Sequence, residues 1–381
     1  MLYKYFQDKK LSALGMGAMR LPVVDGNQAD IDQAQVEKMV DYAMEKGINY
    51  FDTAWGYHDG NSEISMGKAL GKYPRESYYL ADKFPGYDLS NMDKVEEIFE
   101  EQLKKCGVEY FDFYLFHNVC ELNIEDYLDE KHGIAGYLKM QKDLGRIKHL
   151  GFSVHGSSEV MRRFLEKYGD IMEFCQMQLN YVDWDFQEAG EKVEMCREYD
   201  LPIWVMEPLR GGMLVNLPED KVAKLKEMRP DESTHGWAFR FLQSIPDVTM
   251  VLSGMSDFDQ MKDNIEIFSE DKKTNPEETR ALFDLAEDML KDIVPCTACS
   301  YCTSHCPMEL PIPTLIGLYN EHAFSGGGFI AHMALGAMGK DKKPKNCIGC
   351  RSCEEVCPQQ IKISEVMADF TEKLNTLPPV R

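Results

Sequence analysis

Short apolar segments recur eight times in the first 255 residues and alternate with longer amphipathic segments. The longer segment 32–47 has Val36, Met39, Val40 and Ala43 at helical spacing and ends on Gly47, as amphipathic helices do. Alternating strands and helices are typical of a parallel α/β sheet. Eight repeats in this length predict a TIM (β/α)8 barrel. Its strands are predicted at residues 14–20, 49–54, 78–84, 111–117, 147–153, 174–180, 202–208 and 249–255.

The main alternative to the barrel is an open, doubly wound sheet. Such a sheet often carries the sequence G-x-G-x-x-G after its first strand. Gly15-x-Gly17 matches only part of that sequence. We therefore favour the barrel and interpret the two glycines as a tight turn near its entrance.

Eight of the twelve cysteines lie in the last quarter of the chain, in two copies of C-x2-C-x2-C-x3-C-P. Three thiolates at this spacing can bind three corners of an iron–sulfur cubane, while the cysteine before the proline reaches the other cluster. Structural zinc is less favoured, because zinc sites usually combine separated ligand pairs. A disulfide framework is also disfavoured, since the chain shows no export signal. The spacing predicts two [4Fe–4S] clusters, one bound by Cys296, Cys299, Cys302 and Cys357 and the other by Cys347, Cys350, Cys353 and Cys306.

The segment 290–381 resembles the bacterial dicluster ferredoxins through these two motifs. Because residues 307–346 separate the motifs, it is most similar to the helical ferredoxin modules attached to larger redox enzymes. We expect a barrel over 1–270, a linker helix over 271–294 and a mostly helical ferredoxin-like iron–sulfur domain over 295–381. The remaining cysteines are expected to be small buried apolar residues: Cys106, Cys120, Cys175 and Cys196.

Four polar residues lie at or just after the predicted ends of barrel strands, where TIM barrels place their catalytic groups. They are Asp52, Tyr57, Lys83 and His117. A tyrosine acts as a general acid near neutral pH when a nearby cation lowers its pKa from about 10. Lys83 can supply that charge, Asp52 can hold Lys83, and His117 can orient a carbonyl group. The set suits carbonyl reduction by hydride.

With these four residues, the sequence resembles the aldo/keto reductase family over about residues 10–268. The matching segments are FDTA with Tyr57, LADK, YLFH, LGFS, MQLN, PLRGG and VLSGM…DNI. The resemblance implies that Tyr57 is the proton donor or acceptor, that Lys83 and Asp52 tune it, and that His117 orients the substrate. It also implies that NADP or NAD lies across the barrel rim. The cofactor-binding positions it implies are Met19, Asp52, Ser153, Gln178, Met206, Leu209, Arg210, Ser253, Gly254, Gln260 and Asn264.

Several positions depart from the family pattern. Met206 replaces an aromatic residue that stacks on the nicotinamide in many members. Gly254 and Gln260 stand where NADPH-using members often have Lys and Arg. Glu207 adds an anion to the pyrophosphate loop, where Arg210 is expected to neutralise it. An apolar substrate pocket is expected from Trp55, Phe84 and Trp184.

The chain has 64 acidic and 42 basic residues and a formal net charge of -22, so we expect no nucleic-acid partner. The mean hydropathy is -0.39, and no apolar run approaches the length of about 18 residues that a membrane helix needs. The N-terminal residues lack the apolar core of a secretory signal. We therefore expect a cytoplasmic protein without a membrane partner.

Together these features predict an oxidoreductase that interconverts a carbonyl and an alcohol with a nicotinamide and is coupled to electron transfer through the two clusters. The expected partners are a small-molecule carbonyl or alcohol substrate and an external electron carrier such as a ferredoxin or a flavoprotein. Two alternatives stay open. One is a self-sufficient reductase with structural or redox-sensing clusters, and the other is an electron-transfer protein with a non-catalytic barrel.

Overall fold

The structure, a computed structural model, describes residues 1–291, 293–296, 302–357 and 359–376. The chain divides into two compact units, Met1–Leu285 and Ala286–Arg381. Within the described part of the chain, no helix combines the length and the apolar character needed to cross a membrane.

The first unit contains a closed barrel of eight parallel strands, in which each strand pairs with its successor and the last pairs with the first. This confirms the predicted fold class. Every predicted strand segment overlaps one of these strands. They follow an N-terminal antiparallel pair, β1 (Tyr3–Phe6) and β2 (Lys9–Ser12), and are β3 (Leu14–Gly17), β4 (Tyr50–Asp52), β5 (Tyr79–Phe84), β6 (Phe111–Val119), β7 (Ile147–Val154), β8 (Cys175–Gln178), β9 (Ile203–Met206) and β10 (Val248–Ser253).

The β1–β2 hairpin closes the end of the barrel at which the strands begin. The Phe6 ring lies 5.6 Å from Phe113, 6.4 Å from Phe174 and 5.2 Å from Trp204, measured between ring centroids. These partners lie near the starts of β6, β8 and β9. Because the hairpin fills this end, the opposite rim is the one where polar side chains are available for chemistry.

Gly15 lies inside β3 and faces the barrel interior. A Cβ atom at this position would lie 2.7 Å from the Leu252 side chain and 2.9 Å from the Met250 sulfur. The interpretation of Gly15 and Gly17 as a tight turn is therefore wrong, because both residues belong to the strand. Close packing in the narrow interior, and not a turn, explains the glycine at position 15.

Helices surround the barrel, and the first of them, α1 (Gln33–Glu45), buries Val36, Met39, Val40 and Ala43 as its spacing predicts. The four isolated cysteines, at positions 106, 120, 175 and 196, are all buried, as expected. The next helices are α2 (Ser62–Leu70), α3 (Val95–Cys106), α4 (Ile124–Leu128), α5 (Ile134–Asp143), α6 (Ser158–Tyr168), α7 (Asp183–Phe186), α8 (Ala189–Glu198), α9 (Glu219–Met228), α10 (Thr234–Ser244), α11 (Phe258–Ile267) and α12 (Pro276–Met289). The last lies within 271–294, where the sequence predicts one helix.

The second unit is built from helices around a separate apolar core. The helices are α13 (Ile312–Phe324), α14 (Phe329–Ala337), α15 (Ser352–Glu355) and α16 (Ile363–Thr376). Their core includes the buried cysteines Cys302 and Cys353 together with Leu315, Met367 and Phe370. This domain is therefore mostly helical in its described residues, as expected, and places cysteines inside its core.

Candidate active site and cluster sites

A buried ion pair lies at the rim where the barrel strands end. Lys83 Nζ donates hydrogen bonds to Asp52 Oδ1 at 2.6 Å and to the Thr53 carbonyl oxygen at 2.6 Å. Asp52 ends β4 and Lys83 is the penultimate residue of β5, so the register of neighbouring strands brings them together. Lys83 is fully buried and Asp52 is 3% exposed. A buried lysine of this kind needs such partners to keep its charge.

Tyr57 and His117 lie beside this ion pair. Lys83 Nζ is 5.1 Å from the centre of the Tyr57 ring, and the Tyr57 and His117 ring centroids are 6.1 Å apart. Tyr87, which the sequence analysis did not identify, packs edge-on against His117 with ring centroids 5.2 Å apart. The structure thus brings all four predicted residues to one place and adds an aromatic wall.

The electrostatics of these groups differ from the expectation in one respect. Burial raises the pKa of the Tyr57 hydroxyl above 10, although Lys83 acts in the opposite direction. Burial alone lowers the pKa of Lys83, but Asp52 and Tyr57 raise it by more, so the ammonium group is charged. Burial, followed by Lys83 and His155, holds the pKa of His117 well below 6.5. At neutral pH, the Tyr57 hydroxyl is therefore protonated and His117 is neutral.

A second buried carboxyl group follows the ion pair in the chain. Asp82 Oδ1 accepts hydrogen bonds from the Lys83 backbone N–H at 2.8 Å and from Gln102 Nε2 at 2.9 Å. Burial and then the neighbouring Glu63 carboxylate raise the pKa of Asp82 well above its usual value. Glu63 itself accepts a hydrogen bond from Lys105 Nζ at 2.9 Å. The sequence analysis quoted Asp82 only as part of the LADK segment and did not identify this network, which fixes the backbone that carries Lys83.

The residues assigned to a nicotinamide follow the ends of strands and so lie along the same rim. Ser153 lies at the end of β7, while Gln178, Met206 and Ser253 end β8, β9 and β10. Asn264 Nδ2 donates to Ser253 Oγ at 3.1 Å, which links α11 to the end of β10. The other assigned positions lie in loops or helices that follow strands: Met19, Leu209, Arg210, Gly254 and Gln260.

Two buried polar atoms of this rim have no hydrogen-bond partner within the described residues. They are Asp52 Oδ2 and His117 Nδ1. Buried polar atoms are seldom left without a partner. Their presence at the rim fits a site that a polar ligand completes, such as the ribose of a nicotinamide nucleotide at Asp52.

The loop after β9 is arranged differently from the expectation. Arg210 Nε donates to Asp183 Oδ1 at 2.9 Å, so Arg210 has a carboxylate partner besides Glu207. Burial raises the pKa of Glu207, and among the charges that oppose this shift Arg20 is the largest, ahead of Arg210. The backbone N–H of Gly211 also donates to the Glu207 carboxylate. Arg20 was missed because it follows β3, far from this loop in the sequence.

The expected aromatic substrate pocket is not formed as predicted. Phe84 is fully buried in the core. Trp184 packs against Phe241 and Phe283, with ring centroids 5.9 Å away in each case. The Trp55 ring lies under Lys105 Nζ, 3.8 Å from the ring centroid. Trp55 and Trp184 therefore contact different neighbours and Phe84 is buried. Tyr57 and Tyr87, in contrast, both pack against His117.

In the second unit, the four cysteines predicted for one cluster line a single cavity. Its empty space, which is partly open to solvent, is about 330 Å³, and its lining includes Cys306, Cys347, Cys350 and Cys353. Burial, and to a smaller extent the thiols of Cys306 and Cys347, raise the pKa of Cys353 to about 11. The Leu310 backbone N–H lies 3.4 Å from the Cys306 sulfur and donates to it.

The thiols that line this cavity suit an iron–sulfur cluster. Among the described residues, no three His, Cys, Asp or Glu side chains are grouped closely enough to bind one metal ion. Thiols spread around a cavity suit a group of several atoms, and bound iron cations would stabilise thiolates that otherwise repel one another. Sulfur atoms that accept backbone hydrogen bonds are also favourable for such a group.

The other predicted cluster site is described only in part. Cys302 belongs to the core of the second unit, and Cys296 and Cys357 pack against that core. Cys299 lies outside the described residues. The ligand set Cys296, Cys299, Cys302 and Cys357 therefore stays a prediction.

Comparison with known proteins decides the family. A model of the aldo/keto reductase family matches residues 13–282, which is most of the chain. The chain belongs to the aldo/keto reductase family. The members of this family are oxidoreductases, so the resemblance seen in the sequence is confirmed at the level of the family. Residues 295–362 of this aldo/keto reductase match a 4Fe-4S dicluster domain, which confirms the expected iron–sulfur domain.

Two curated relatives match more than half of the chain. A probable aldo-keto reductase 1 from Glycine max is 30% identical over 233 residues, which are 57% of this chain and 63% of that protein. An NADH-specific methylglyoxal reductase from Escherichia coli (strain K12) is 27% identical over 224 residues, 54% of this chain and 66% of that protein. The chain thus spans slightly less than two thirds of the length of these two relatives.

A solved structure supports the same fold. The holo form of an aldo-keto reductase from Bacillus halodurans is 25% identical, with a TM-score of 0.62. The match covers 75% of this chain and 96% of that protein. The match leaves a quarter of this chain without a counterpart in that protein. The iron–sulfur domain, at residues 295–362, is matched separately.

Proposed function

We propose that this protein is an oxidoreductase that interconverts a carbonyl and an alcohol with a nicotinamide cofactor and exchanges electrons through two [4Fe–4S] clusters. The observation that carries the proposal is the buried Lys83–Asp52 ion pair beside Tyr57 and His117. This arrangement pairs a protonated phenol with a fixed cation, as reduction of a carbonyl group requires.

In the direction of reduction, His117 donates a hydrogen bond to the carbonyl oxygen and orients it toward Tyr57. Tyr57 then transfers its hydroxyl proton to that oxygen. The charged Lys83 stabilises the phenolate that this transfer leaves, and Asp52 holds Lys83 in place through the 2.6 Å contact. When bound, the nicotinamide supplies the hydride to the carbonyl carbon in this direction or accepts it in the reverse direction.

The residues proposed to hold the nicotinamide are those on the rim. We propose that Ser153 and Gln178 bind the carboxamide, that Met206 covers the ring face and that Asp52 binds the ribose. A relative from Escherichia coli is named as NADH-specific, which supports a nicotinamide as the cofactor of this chain. Gln260 Oε1 accepts a hydrogen bond from the Ser256 backbone N–H at 3.0 Å and adds no charge for a 2′-phosphate. This supports use of NADH at least as readily as NADPH.

The clusters are proposed to be held by the two crossed sets of cysteines, of which Cys306, Cys347, Cys350 and Cys353 already line one cavity. When bound, each cluster accepts or releases one electron. A hydride carries two electrons, whereas each cluster passes one. Coupling of the nicotinamide to the two clusters therefore uses a mediator that releases electrons one at a time. A partner flavoprotein is the class of protein that supplies such a mediator.

The test is an anaerobic titration of the cluster-loaded protein. NADH or NADPH is added, with and without a flavoprotein carrier, and the broad visible iron–sulfur absorption is recorded. Bleaching of that absorption supports coupling. Carbonyl reduction without bleaching under either condition would instead identify a self-sufficient reductase with structural or sensing clusters.

A Tyr57→Phe variant tests the role of the barrel in the same assay. Carbonyl reduction should fall by about 10²–10⁴-fold, the usual contribution of a general acid. The exposed Tyr5, which is 72% accessible, provides the matched control Tyr5→Phe. Unchanged electron transfer to the clusters in Tyr57→Phe, with no carbonyl reduction by the parent protein, would favour an electron-transfer protein with a non-catalytic barrel.

A further inference from the structure

A basic segment adjoins the cysteine-lined cavity of the second unit. Residues 340–351 contain five basic residues and one acid, in a chain whose net charge is -22. The basic residues are Lys340, Lys342, Lys343, Lys345 and Arg351. Such a local reversal of sign attracts negatively charged partners to one place on the surface.

Most of this positive charge is not neutralised by the residues that the structure describes. Lys342 Nζ lies 3.1 Å from Glu309 and forms an ion pair. Arg351 lies 3.7 Å from Glu365, but both side chains are 65% exposed, so solvent screens this pair. Within the described part of the chain, no carboxylate lies within ion-pair distance of Lys340, Lys343 or Lys345.

The basic loop is held in a defined shape next to the first cysteine of the second motif. Asn346 Nδ2 donates to the carbonyl oxygens of Lys340, at 2.8 Å, and Lys343, at 3.3 Å. The Cys347 backbone N–H donates to the Pro344 carbonyl oxygen at 3.0 Å. The backbone at these lysines is therefore fixed relative to the cavity, and their charges stay near it.

The cavity also has an exposed apolar edge. Ile348 is 62% exposed and Met308 is 37% exposed, and both line the cavity together with Cys306 and Cys347. Cys350, another lining cysteine, is also exposed. Apolar residues surrounded by charged ones are the usual composition of a protein-binding surface. Arg351 also lines the cavity, and Lys340, Lys343 and Lys345 lie in the loop that leads into Cys347. We call the set Met308, Ile348, Lys340, Lys343, Lys345 and Arg351 the basic face.

We propose that the basic face docks an acidic one-electron carrier protein, which exchanges an electron with the cluster bound by Cys306, Cys347, Cys350 and Cys353. This inference rests on the proposed electron-transfer function. One electron leaves the reduced carrier and enters the oxidised cluster, so no bond is made or broken. The exposed cysteine edge keeps the transfer distance short. A long nucleic acid is excluded as the occupant because the rest of the chain is strongly acidic.

The test measures how fast a reduced carrier transfers its electron to the full-length, cluster-loaded protein. The probe is a reduced plant-type [2Fe–2S] ferredoxin, an acidic protein, mixed anaerobically with the oxidised protein in a stopped-flow spectrophotometer. The variant Lys340→Glu/Lys343→Glu/Lys345→Glu reverses three charges of the basic face. At low ionic strength, its second-order rate constant should fall by at least about tenfold, the lower end of electrostatic steering.

A matched variant controls for total charge. Lys38, Lys68 and Lys226 are exposed lysines of the barrel unit, so Lys38→Glu/Lys68→Glu/Lys226→Glu changes the net charge equally. Its rate constant should stay within about twofold of the parent value, and raising the salt concentration should remove the difference between the two variants. Equal slowing of both variants, or no slowing of either, would overturn the proposed docking site.

Two further readings separate failure of docking from failure of the proposed function. The amplitude of bleaching by excess dithionite reports whether the variant still holds its clusters, and it should equal that of the parent. NAD(P)H-dependent carbonyl reduction reports on the barrel. If the ferredoxin reduces the clusters through the basic face but no alcohol forms from a carbonyl, docking stands and the coupling to the barrel fails.

Discussion

Glu207 places a carboxylate in the loop after β9, where the proposed function requires a pyrophosphate to bind. The Gly211 backbone N–H already donates to this carboxylate. A Glu207→Gln substitution keeps an acceptor for that N–H and removes the charge. Nicotinamide dinucleotide binding should tighten by about fivefold, which corresponds to about 1 kcal/mol of relieved repulsion. The dissociation constant can be measured by quenching of protein fluorescence.

The pH dependence of dinucleotide binding provides a second test of the role of Glu207. Because burial raises the pKa of Glu207, acidification neutralises it at a higher pH than an ordinary glutamate. Binding by the parent protein should therefore tighten as the pH falls through that range, while the Gln variant should show a flat profile. Glu76→Gln, at an exposed position before β5, provides the control. Equal profiles for parent and Glu207→Gln would contradict the assignment.

The residues proposed to be catalytic predict the pH profile of carbonyl reduction. Tyr57 loses its proton only above pH 10, because its pKa is raised, and His117 stays neutral because its pKa lies well below 6.5. The rate at saturating substrate should thus be flat from about pH 7 to about pH 9. In Lys83→Met the phenolate loses its stabilising cation, so this rate should fall by about 10²-fold or more. A parent profile that drops with a midpoint near neutral pH would contradict these roles.

At the residue scale, the sequence predicted the site residues that end or follow a strand and missed those that reach the site through packing between distant segments. Asp52, Tyr57, Lys83 and His117 each end or follow a predicted strand, so the barrel topology alone brings them together. Arg20 faces Glu207, and Glu63 faces Asp82, through packing between distant segments. The direction of the Tyr57 pKa shift could not be predicted from the sequence either, because it depends on how completely the fold buries the hydroxyl.

Among the elements, the β1–β2 hairpin contributes a plug for the barrel. Phe6 is 5% exposed and packs among aromatic rings, whereas Tyr5 on the same strand is 72% exposed. Phe6→Ala should destabilise the barrel by about 3 kcal/mol or more, the typical cost of removing a buried phenylalanine ring. Tyr5→Ala should change the free energy of unfolding by less than about 0.5 kcal/mol.

Urea unfolding followed by tryptophan fluorescence measures both values. Because the plug lies at the end opposite the proposed catalytic rim, the Michaelis constant of folded Phe6→Ala for the carbonyl should stay near that of the parent. A Phe6→Ala protein as stable as Tyr5→Ala would show that the hairpin does not support the barrel.

The eight barrel strands were predictable because each is a short apolar run between helical segments. The hairpin was not, since its turn at Gln7 and Asp8 lacks the glycine or asparagine that usually marks a two-residue turn. Gln7 adopts a positive φ of 52° without that signal. The cysteine-lined cavity was predictable because iron–sulfur ligation imposes a strict spacing that packing rarely produces by chance.

For the whole molecule, the two units have different sources of stability. The barrel unit has an apolar core of its own, with Tyr50, Phe113 and Trp204 at its centre. The second unit is smaller and buries cysteines in its core: Cys302 is 6% exposed and Cys353 is 5% exposed. If clusters occupy those sites, the second unit depends on them for folding, as small metal-binding domains do.

Removal of iron should therefore unfold the second unit and leave the barrel folded. All four tryptophans (Trp55, Trp184, Trp204 and Trp237) lie in Met1–Leu285, so their fluorescence reports on the barrel unit alone. Helical circular dichroism also reports on α13 to α16. An iron chelator with a mild oxidant should abolish the visible cluster absorption and reduce the helical signal, while the tryptophan emission maximum stays constant. A red shift of that emission in step with iron loss would show that the barrel also depends on the clusters.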